Sequence, residues 1–247
     1  MKKSLILGLS TVALGMASFS ASADMHTSGN KWYAGVGGSW IASNFQNKYS
    51  LQTTGGGDDP TTSKKIGLED KDAFGANFLV GYNFDFMNWG TFLELSYGLN
   101  SSSSKSRDPI NHGDGSDDSI VVNKLGHLHT YALGVGVSKD ITSTMGAYFK
   151  LSALMSRFDI TNKIEKWDGD VGTNGSASYK RWAWGWSPTV GLAKDMGSGF
   201  TIKTDYSYQI YSTVKKGMDV IDTDTSNTYN KIKPRYHVVN VTLTKAF

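Results

Sequence analysis

The residues best suited to catalysis or metal binding are two histidines, His127 and His129, in the segment His-Leu-His-Thr. Alternate residues of a strand share a face, so the i, i+2 spacing predicts two rings side by side. Such a pair can contribute to a divalent metal clamp or to a hydrolytic site. Two ligands alone do not make a closed zinc site, so we favour two amphipathic side chains near a strand end and predict no metal.

A second group of candidates consists of clustered carboxylates in polar segments. Carboxylate oxygens are the ligands that Ca²⁺ prefers, but neither cluster matches the spacing of an EF-hand loop. We therefore favour solvated polar loops over a calcium site. The residues are Asp108, Asp114, Asp117 and Asp118 in one segment and Asp219, Asp222 and Asp224 in another.

Other catalytic chemistry has little support in the sequence. Cysteine is absent, so disulfides, thiolate metal sites and cysteine nucleophiles are excluded. No Ser/His/Asp triad or phosphate-binding loop can be assembled with any specificity. We predict no catalytic residue and no cofactor.

The first residues are typical of an export signal. Met-Lys-Lys is followed by an apolar run from Leu5 to Met16 and by Ala21-Ser22-Ala23, a small-x-small cleavage site. We predict that residues 1–23 are removed and that residues 24–247 form one β domain. Loss of Lys2 and Lys3 lowers the formal charge from +3 to +1. The remaining chain therefore lacks the excess of basic residues that would indicate nucleic-acid binding. No later stretch is long and apolar enough for a transmembrane helix.

Eight segments alternate between apolar residues and small or polar residues, the period of a strand. Pro188 interrupts one of them, which we interpret as a bulge or kink. The predicted strands are Lys31–Ala42, Ala73–Phe86, Gly90–Asn100, Val122–Lys139, Thr144–Asp159, Ser178–Lys194, Phe200–Tyr211 and Tyr236–Phe247.

The connections between these strands alternate strictly between short and long. The long polar connections cover about residues 43–72, 101–121, 160–177 and 212–233. Tight turns at one end and long loops at the other are typical of outer-membrane barrels. A soluble lipocalin-like barrel is the alternative, because its strands alternate in the same way. Gly, Ser, Thr and Asn dominate the second face, which suits a crowded polar lumen better than a soluble exterior, so we favour the membrane barrel.

Three motifs carry a resemblance to a known family. Trp-Tyr-Ala-Gly-Val-Gly-Gly opens the first strand, Gly-Tyr-Asn-Phe lies in the second, and the last strand finishes on Phe247. With these features the chain resembles the OmpA-type, opacity-protein family of eight-stranded outer-membrane barrels. Lys245 departs from the usual apolar residue of the terminal signal, although a lysine there can reach the headgroups.

The resemblance implies an all-β fold, an eight-stranded antiparallel transmembrane barrel with short periplasmic turns and four long extracellular loops. It implies a monomer in the Gram-negative outer membrane, in contact with outer-membrane lipids, lipopolysaccharide and the barrel-assembly machinery. We favour a non-enzymatic surface protein whose loops contact host or surface ligands. A narrow porin-like channel is the alternative. A lipid-modifying enzyme is third, because barrel deacylases carry His-x-Ser where this chain has His-x-His.

Charged residues on the polar face predict how the lumen is filled. Glu94, Lys150 and Asp205 each lie about five residues beyond the start of an ascending strand, and Lys203 lies one inward step below Asp205. A buried charge is costly unless it is paired, so we predict a network Glu94–Lys150–Asp205–Lys203. Eight strands leave room only for side chains, so this network is expected to plug the barrel. Four aromatic residues add bulk to the plug: Tyr33, Phe92, Tyr148 and Tyr236.

Deletion of Phe247 is expected to impair insertion into the outer membrane, because this residue resembles the family's assembly signal. The measurement is the amount of folded, heat-modifiable protein in outer-membrane fractions. A deletion variant that accumulates to the level of the unaltered chain would contradict this role.

Overall fold

The structure is a computed structural model of the 247-residue chain. It describes residues 31–43, 46–51, 62–67, 72–86, 89–112, 116–166, 175–219 and 227–247. The predicted signal peptide, residues 1–23, lies outside this part of the chain. In the part that is described, no helix is long and apolar enough to cross a membrane.

Eight long antiparallel strands form a closed barrel, as the alternating sequence pattern predicts. The strands are β1 (Lys31–Ser43), β4 (Asp72–Phe86), β5 (Trp89–His112), β6 (Ser116–Thr142), β7 (Met145–Lys166), β8 (Gly175–Gly197), β9 (Phe200–Tyr211) and β12 (Arg235–Ala246). Around the barrel the order is β1-β12-β9-β8-β7-β6-β5-β4. The barrel closes because β1 pairs with β12 on one side and with β4 on the other.

The outer face of the barrel is an apolar belt. Large hydrophobic side chains stay exposed on every barrel strand, including Trp184 at 65% and Leu95 at 59%. Serine, threonine and glycine alternate with them and face the lumen. Continuous exposed apolar surface is costly in water but stable against lipid acyl chains. The belt is therefore the surface that the membrane covers.

Three short connections join neighbouring strands at one end of the barrel. They lie between Phe86 and Trp89, between Thr142 and Met145, and between Gly197 and Phe200. In the last turn Gly197, Ser198 and Gly199 all have positive φ, a conformation that glycine adopts readily. Lys31 and Phe247 lie at this same end, which we call the turn end, and the opposite end is the loop end.

The structure corrects the prediction that all four long connections are loops. Strands β5 and β6 continue as one hairpin up to His112 and Ser116, and β7 and β8 continue up to Lys166 and Gly175. The serine run Ser101–Ser104, at the start of the predicted connection 101–121, lies within β5. Its residues Ser102 and Ser104 are buried.

The first and fourth long connections also contain strands that pair with one another. These strands are β2 (Gln46–Leu51), β3 (Thr62–Gly67), β10 (Val214–Asp219) and β11 (Asn227–Lys233). They form a four-stranded antiparallel sheet in the order β10-β11-β2-β3. The polar composition suggested loops, but buried Val214 and Ile232 give this sheet an apolar face that packs on the barrel core.

Two local irregularities interrupt the pairing of the barrel strands. Pro188 leaves a gap in the pairing of β8 with β9, which omits Ser187 and Pro188, but it causes no bulge, because Trp186 opposite Ile210 and Thr189 opposite Ser207 keep the same register. A bulge occurs instead between His127 and His129 in β6, where β6 carries one residue more than β7. This bulge places His127 and His129 on opposite faces of the strand.

Glycines in the lumen wall make room for aromatic rings on the neighbouring strand. Gly81 lies opposite Tyr33, and Gly191 lies opposite Tyr148. A Cβ atom at either glycine would overlap the ring of its partner. Gly136 and Phe92 form a third pair of the same kind. At these three positions the lumen has room for a large aromatic ring because the facing residue has no side chain.

Gly191→Ala is expected to lower the free energy of unfolding by about 1–3 kcal/mol, because the new methyl group must displace the buried Tyr148 ring. The measurement is urea unfolding of the refolded barrel, followed by tryptophan fluorescence. Gly98→Ala is the matched control, since its Cβ would lie 3.8 Å from Thr130 Cβ, an ordinary contact. Equal unfolding midpoints for the two variants would contradict this packing.

Candidate functional site

The lumen contains a buried carboxylate with two lysine partners. Glu94 is 3% exposed and forms ion pairs with Lys150 through Oε1 and with Lys203 through Oε2, the latter at 3.5 Å. The Tyr33 hydroxyl donates a hydrogen bond of 3.1 Å to Glu94 Oε2. Both carboxylate oxygens are thus satisfied inside the barrel, which is the condition for keeping a charge there.

The strands hold these groups together through their register. Glu94 in β5 lies directly opposite Gly81 of β4 and Gly134 of β6. Because both neighbours lack a side chain, there is room for Tyr33 on one side and for the Lys150 stem on the other. A side chain at either glycine position would occupy the space that the Glu94 partners fill.

Asp205 belongs to a second hydrogen-bonded group. It accepts bonds of 2.7 Å from the Tyr148 hydroxyl and of 2.7 Å from Asn240 Nδ2. Asn240 Oδ1 in turn accepts a bond of 3.2 Å from Asn77 Nδ2. The arrangement differs from the predicted linear chain, since Glu94 holds both lysines and a tyrosine and an asparagine hold Asp205.

Lys203 connects the two groups through aromatic rings. Its amine lies 4.1 Å from the centre of the Tyr33 ring, 5.2 Å from that of Phe92 and 5.9 Å from that of Tyr148. Phe92 and Tyr148 contact each other edge to face, with centroids 5.8 Å apart. Ring faces attract a desolvated ammonium group, so these side chains form one continuous layer across the barrel. We call these residues the plug layer: Tyr33, Phe92, Glu94, Tyr148, Lys150, Lys203 and Asp205.

Two cavities lie on either side of the plug layer, each of about 90 Å³. The cavity toward the turn end is lined by residues such as Thr91, Thr201 and Thr244. The cavity toward the loop end is lined by residues such as Asn100, Ser152 and Gln209. Each has room for several water molecules, and the plug layer separates them.

An apolar core closes the lumen at the loop end, which the sequence analysis did not predict. Phe158, Tyr211 and Tyr236 are at most 4% exposed and pack around His127. The His127 ring stacks on Tyr236 with centroids 4.6 Å apart and on Phe158 at 4.9 Å. The alternation along β7 could have predicted this core. Leu154, Phe158 and Ile160 occupy the same alternate positions as the lumen-facing residues of that strand.

The two histidines do not form the side-by-side pair that their spacing predicted. His127 lies in the lumen, where its Nε2 is 2.7 Å from Thr130 Oγ1. His129 lies on the outer face, with Nδ1 2.8 Å from the Tyr97 hydroxyl. The bulge at Leu128 separates them, and a sequence pattern cannot reveal such a bulge. Among the described residues, no cluster of three or more His, Asp or Glu side chains could hold a metal ion.

The remaining predicted sites fall at the two ends of the barrel. Phe247 is 75% exposed at the turn end, and its amide donates a 2.9 Å hydrogen bond to the Trp32 carbonyl. The Lys245 amine donates to the Ser198 carbonyl and lies 4.2 Å from the centre of the Phe200 ring. The side chains of the seven clustered aspartates lie outside the described part of the chain.

The closed barrel can now be compared with known families. A family model described as outer membrane protein beta-barrel domain matches residues 10–247. The chain belongs to this family. The apolar belt is therefore the part of the barrel that lies in the lipid of the Gram-negative outer membrane.

Several solved structures are similar to this member of the outer-membrane barrel family. Neisserial surface protein A has 13% identity and a TM-score of 0.40, and covers 89% of this chain and 99% of its own. OprG from Pseudomonas aeruginosa has 10% identity and a TM-score of 0.45, with 86% and 95% coverage. Ail of Yersinia pestis has 15% identity and a TM-score of 0.25, with 81% and 98% coverage. None of the curated proteins matches the sequence.

Glu94→Ala is expected to lower the free energy of unfolding by about 3–5 kcal/mol, because the buried lysines lose their shared anion. Urea unfolding of the refolded barrel measures this change. Adding Lys150→Met to Glu94→Ala should recover part of the loss, since it removes one of the unpaired cations. An unfolding midpoint in Glu94→Ala that equals that of the unaltered protein would contradict the ion pairs.

Proposed function

We propose that this protein is a non-enzymatic surface protein of the outer membrane with a closed lumen, and that its loop end makes its biological contacts. The plug layer is the observation that carries the proposal. It places two paired lysines, two carboxylates and three aromatic rings across a barrel of only eight strands. An interior of this width is filled by side chains, which leaves no wide path for solutes.

The loop end supports the same proposal. There the β5–β6 and β7–β8 hairpins and the four-stranded sheet extend beyond the apolar belt. Strands supported by a buried core present a more fixed surface than isolated loops do. A fixed surface of this kind suits recognition of a partner outside the cell.

A narrow channel is the second candidate, and the two cavities favour it. The one toward the loop end is lined mainly by polar groups and the one toward the turn end by polar and apolar groups together, and one layer of side chains separates them along the lumen. Movement of that layer would join them. The ion pairs of Glu94 oppose this movement, because breaking either pair would leave a buried charge without its partner.

A lipid-modifying enzyme ranks third. Such an enzyme needs a nucleophile beside a histidine at the lipid-facing surface. Of the two predicted histidines, His129 lies on that surface beside the Tyr97 hydroxyl, and His127 faces the lumen. This arrangement gives no support to a serine nucleophile.

The route to the membrane completes the proposal. Residues 1–23 would direct export and be removed, and residues 24–247 would insert as a monomer with the help of the barrel-assembly machinery. The exposed Phe247 at the turn end would then remain accessible to that machinery during assembly.

Single-channel recording in planar bilayers tests the closed lumen. The unaltered protein should show no stable conductance, and Tyr33→Ala/Tyr148→Ala, which removes two rings of the plug layer, should stay closed because the apolar core remains. Adding Tyr211→Ala/Tyr236→Ala to this variant also opens the apolar core, so the combined variant should leak. Tyr97→Ala/Tyr131→Ala on the outer face is the matched control and should stay closed. A large and stable conductance of the unaltered protein would instead support the channel.

A further inference from the structure

The four charged residues of the plug layer do not face the same cavity. Glu94, Lys150 and Asp205 line the cavity toward the loop end, whereas Lys203 lines the cavity toward the turn end. The plug layer therefore presents both of its carboxylates to one cavity and a single cation to the other. Three rings surround this cation, and each of them also lines the turn-end cavity: Tyr33, Phe92 and Tyr148.

The Lys203 ammonium group has more hydrogen-bond donors than the plug layer accepts. An ammonium group has three N–H donors. Within the described part of the chain its acceptor is Glu94 Oε2, and the distance of 3.5 Å is long for a hydrogen bond. The faces of the surrounding rings attract the positive charge but do not replace an acceptor oxygen. At least two N–H groups can therefore donate to a molecule in the turn-end cavity.

The charge balance of the plug layer favours an anion at this position. Glu94 pairs with both Lys150 and Lys203, so this trio carries a net charge of +1. Asp205 is held by neutral donors and lines the other cavity. An anion on the turn-end side of Lys203 would continue an alternating series of charges, in which each buried charge has a partner of opposite sign.

Two neutral donors belong to the wall of the same cavity. Thr201 is the next inward residue of β9 on the turn-end side of Lys203, and Asn83 is the next inward residue of β4 after Gly81. In the part of the chain that is described, neither the Thr201 hydroxyl nor the Asn83 amide bonds to another protein group. A hydroxyl and an amide can both donate to an anion without adding charge.

Asp195 restricts the charge of the anion. Its carboxylate lines the turn-end cavity, and its Oδ1 accepts a 2.6 Å hydrogen bond from the Gly197 amide. Asp195 lies opposite Thr201 and two residues along β8 from Ala193, the partner of Lys203. This spacing corresponds to about 7 Å along the strand. A second negative charge on the anion would therefore be repelled by Asp195.

We propose that the turn-end cavity is a binding site for a small singly charged carboxylate, of the size of formate or acetate. Its oxygens would accept hydrogen bonds from Lys203 Nζ and from Thr201 or Asn83. A carboxylate has two oxygens and can reach donors at both levels, whereas a halide ion has a single centre. The cavity volume of about 90 Å³ corresponds to about three water molecules, which excludes larger anions. The site is independent of the contacts made at the loop end.

Methyl NMR can measure this binding, because alanines line both cavities. Ala193 lines the turn-end cavity opposite Lys203, and Ala132 lines the loop-end cavity. The refolded full-length barrel, labelled with ¹³C at the alanine methyl groups, is titrated with formate that replaces sulfate at constant ionic strength. The Ala193 resonance should shift to saturation with a Kd of about 1–10 mM, the range expected for a ligand of so few atoms. The Ala132 resonance should stay constant.

Four variants separate the roles of the residues that line the site. Lys203→Met should weaken formate binding by more than about tenfold, and Thr201→Val by about fivefold, because each removes a donor. Lys139→Met is the matched control and should bind as the unaltered protein does, since Lys139 lies over Trp89 on the outer face of the same end. Asp195→Asn should tighten formate binding by about three- to tenfold, because it removes the opposing charge.

Equal formate affinities of Lys203→Met and Lys139→Met would overturn the proposal, and so would equal shifts of the Ala193 and Ala132 resonances. Chloride that competes as strongly as acetate, or sulfate that displaces formate, would overturn the assignment to a singly charged carboxylate. If Lys203→Met fails to refold, Thr201→Val and Asp195→Asn decide the question, because they must change the affinity in opposite directions. The same affinity in both would overturn the site.

Discussion

The structure depends on the narrow interior of an eight-stranded barrel, in which each buried charge needs a partner. No bulk solvent is available there, so an unpaired charge at Glu94 or Lys150 would be strongly destabilising. This constraint explains why Glu94 is held by two lysines and a tyrosine, and why glycines face the large rings. The outer surface of the barrel requires apolar side chains instead, because it contacts lipid acyl chains.

The same constraint divides the lumen into layers. The plug layer concentrates the charged groups near the turn end, where Lys203 lies among three aromatic rings. Polar serines and threonines line the cavity above it, and the apolar core around His127 closes the loop end. Because that core continues beyond the belt, it supports the long hairpins and gives the four-stranded sheet a surface on which to pack.

Most of the barrel could be predicted from the sequence, because the period of two is strong in all eight strands and is set by local geometry. The alternation of faces and the distance from the strand start also predicted that Glu94, Lys150 and Lys203 lie close together in the lumen. The partners of Asp205 were missed, since they depend on the stagger between strands, which no single strand records. The bulge near His127 was missed for a similar reason. The four strands of the additional sheet at the loop end were missed because their polar composition was taken to indicate loops.

Thiol labelling tests most directly whether the plug layer and the apolar core seal the lumen. The chain has no cysteine, so each introduced one is unique. Ser152→Cys lies between the two seals, Thr201→Cys lines the cavity at the turn end, and Ser198→Cys is exposed in a turn. In proteoliposomes, a membrane-impermeant maleimide should label Ser198→Cys fast, Thr201→Cys more slowly and from the turn end alone, and Ser152→Cys from neither side. Labelling of Ser152→Cys at the rate of Ser198→Cys would contradict the closed lumen.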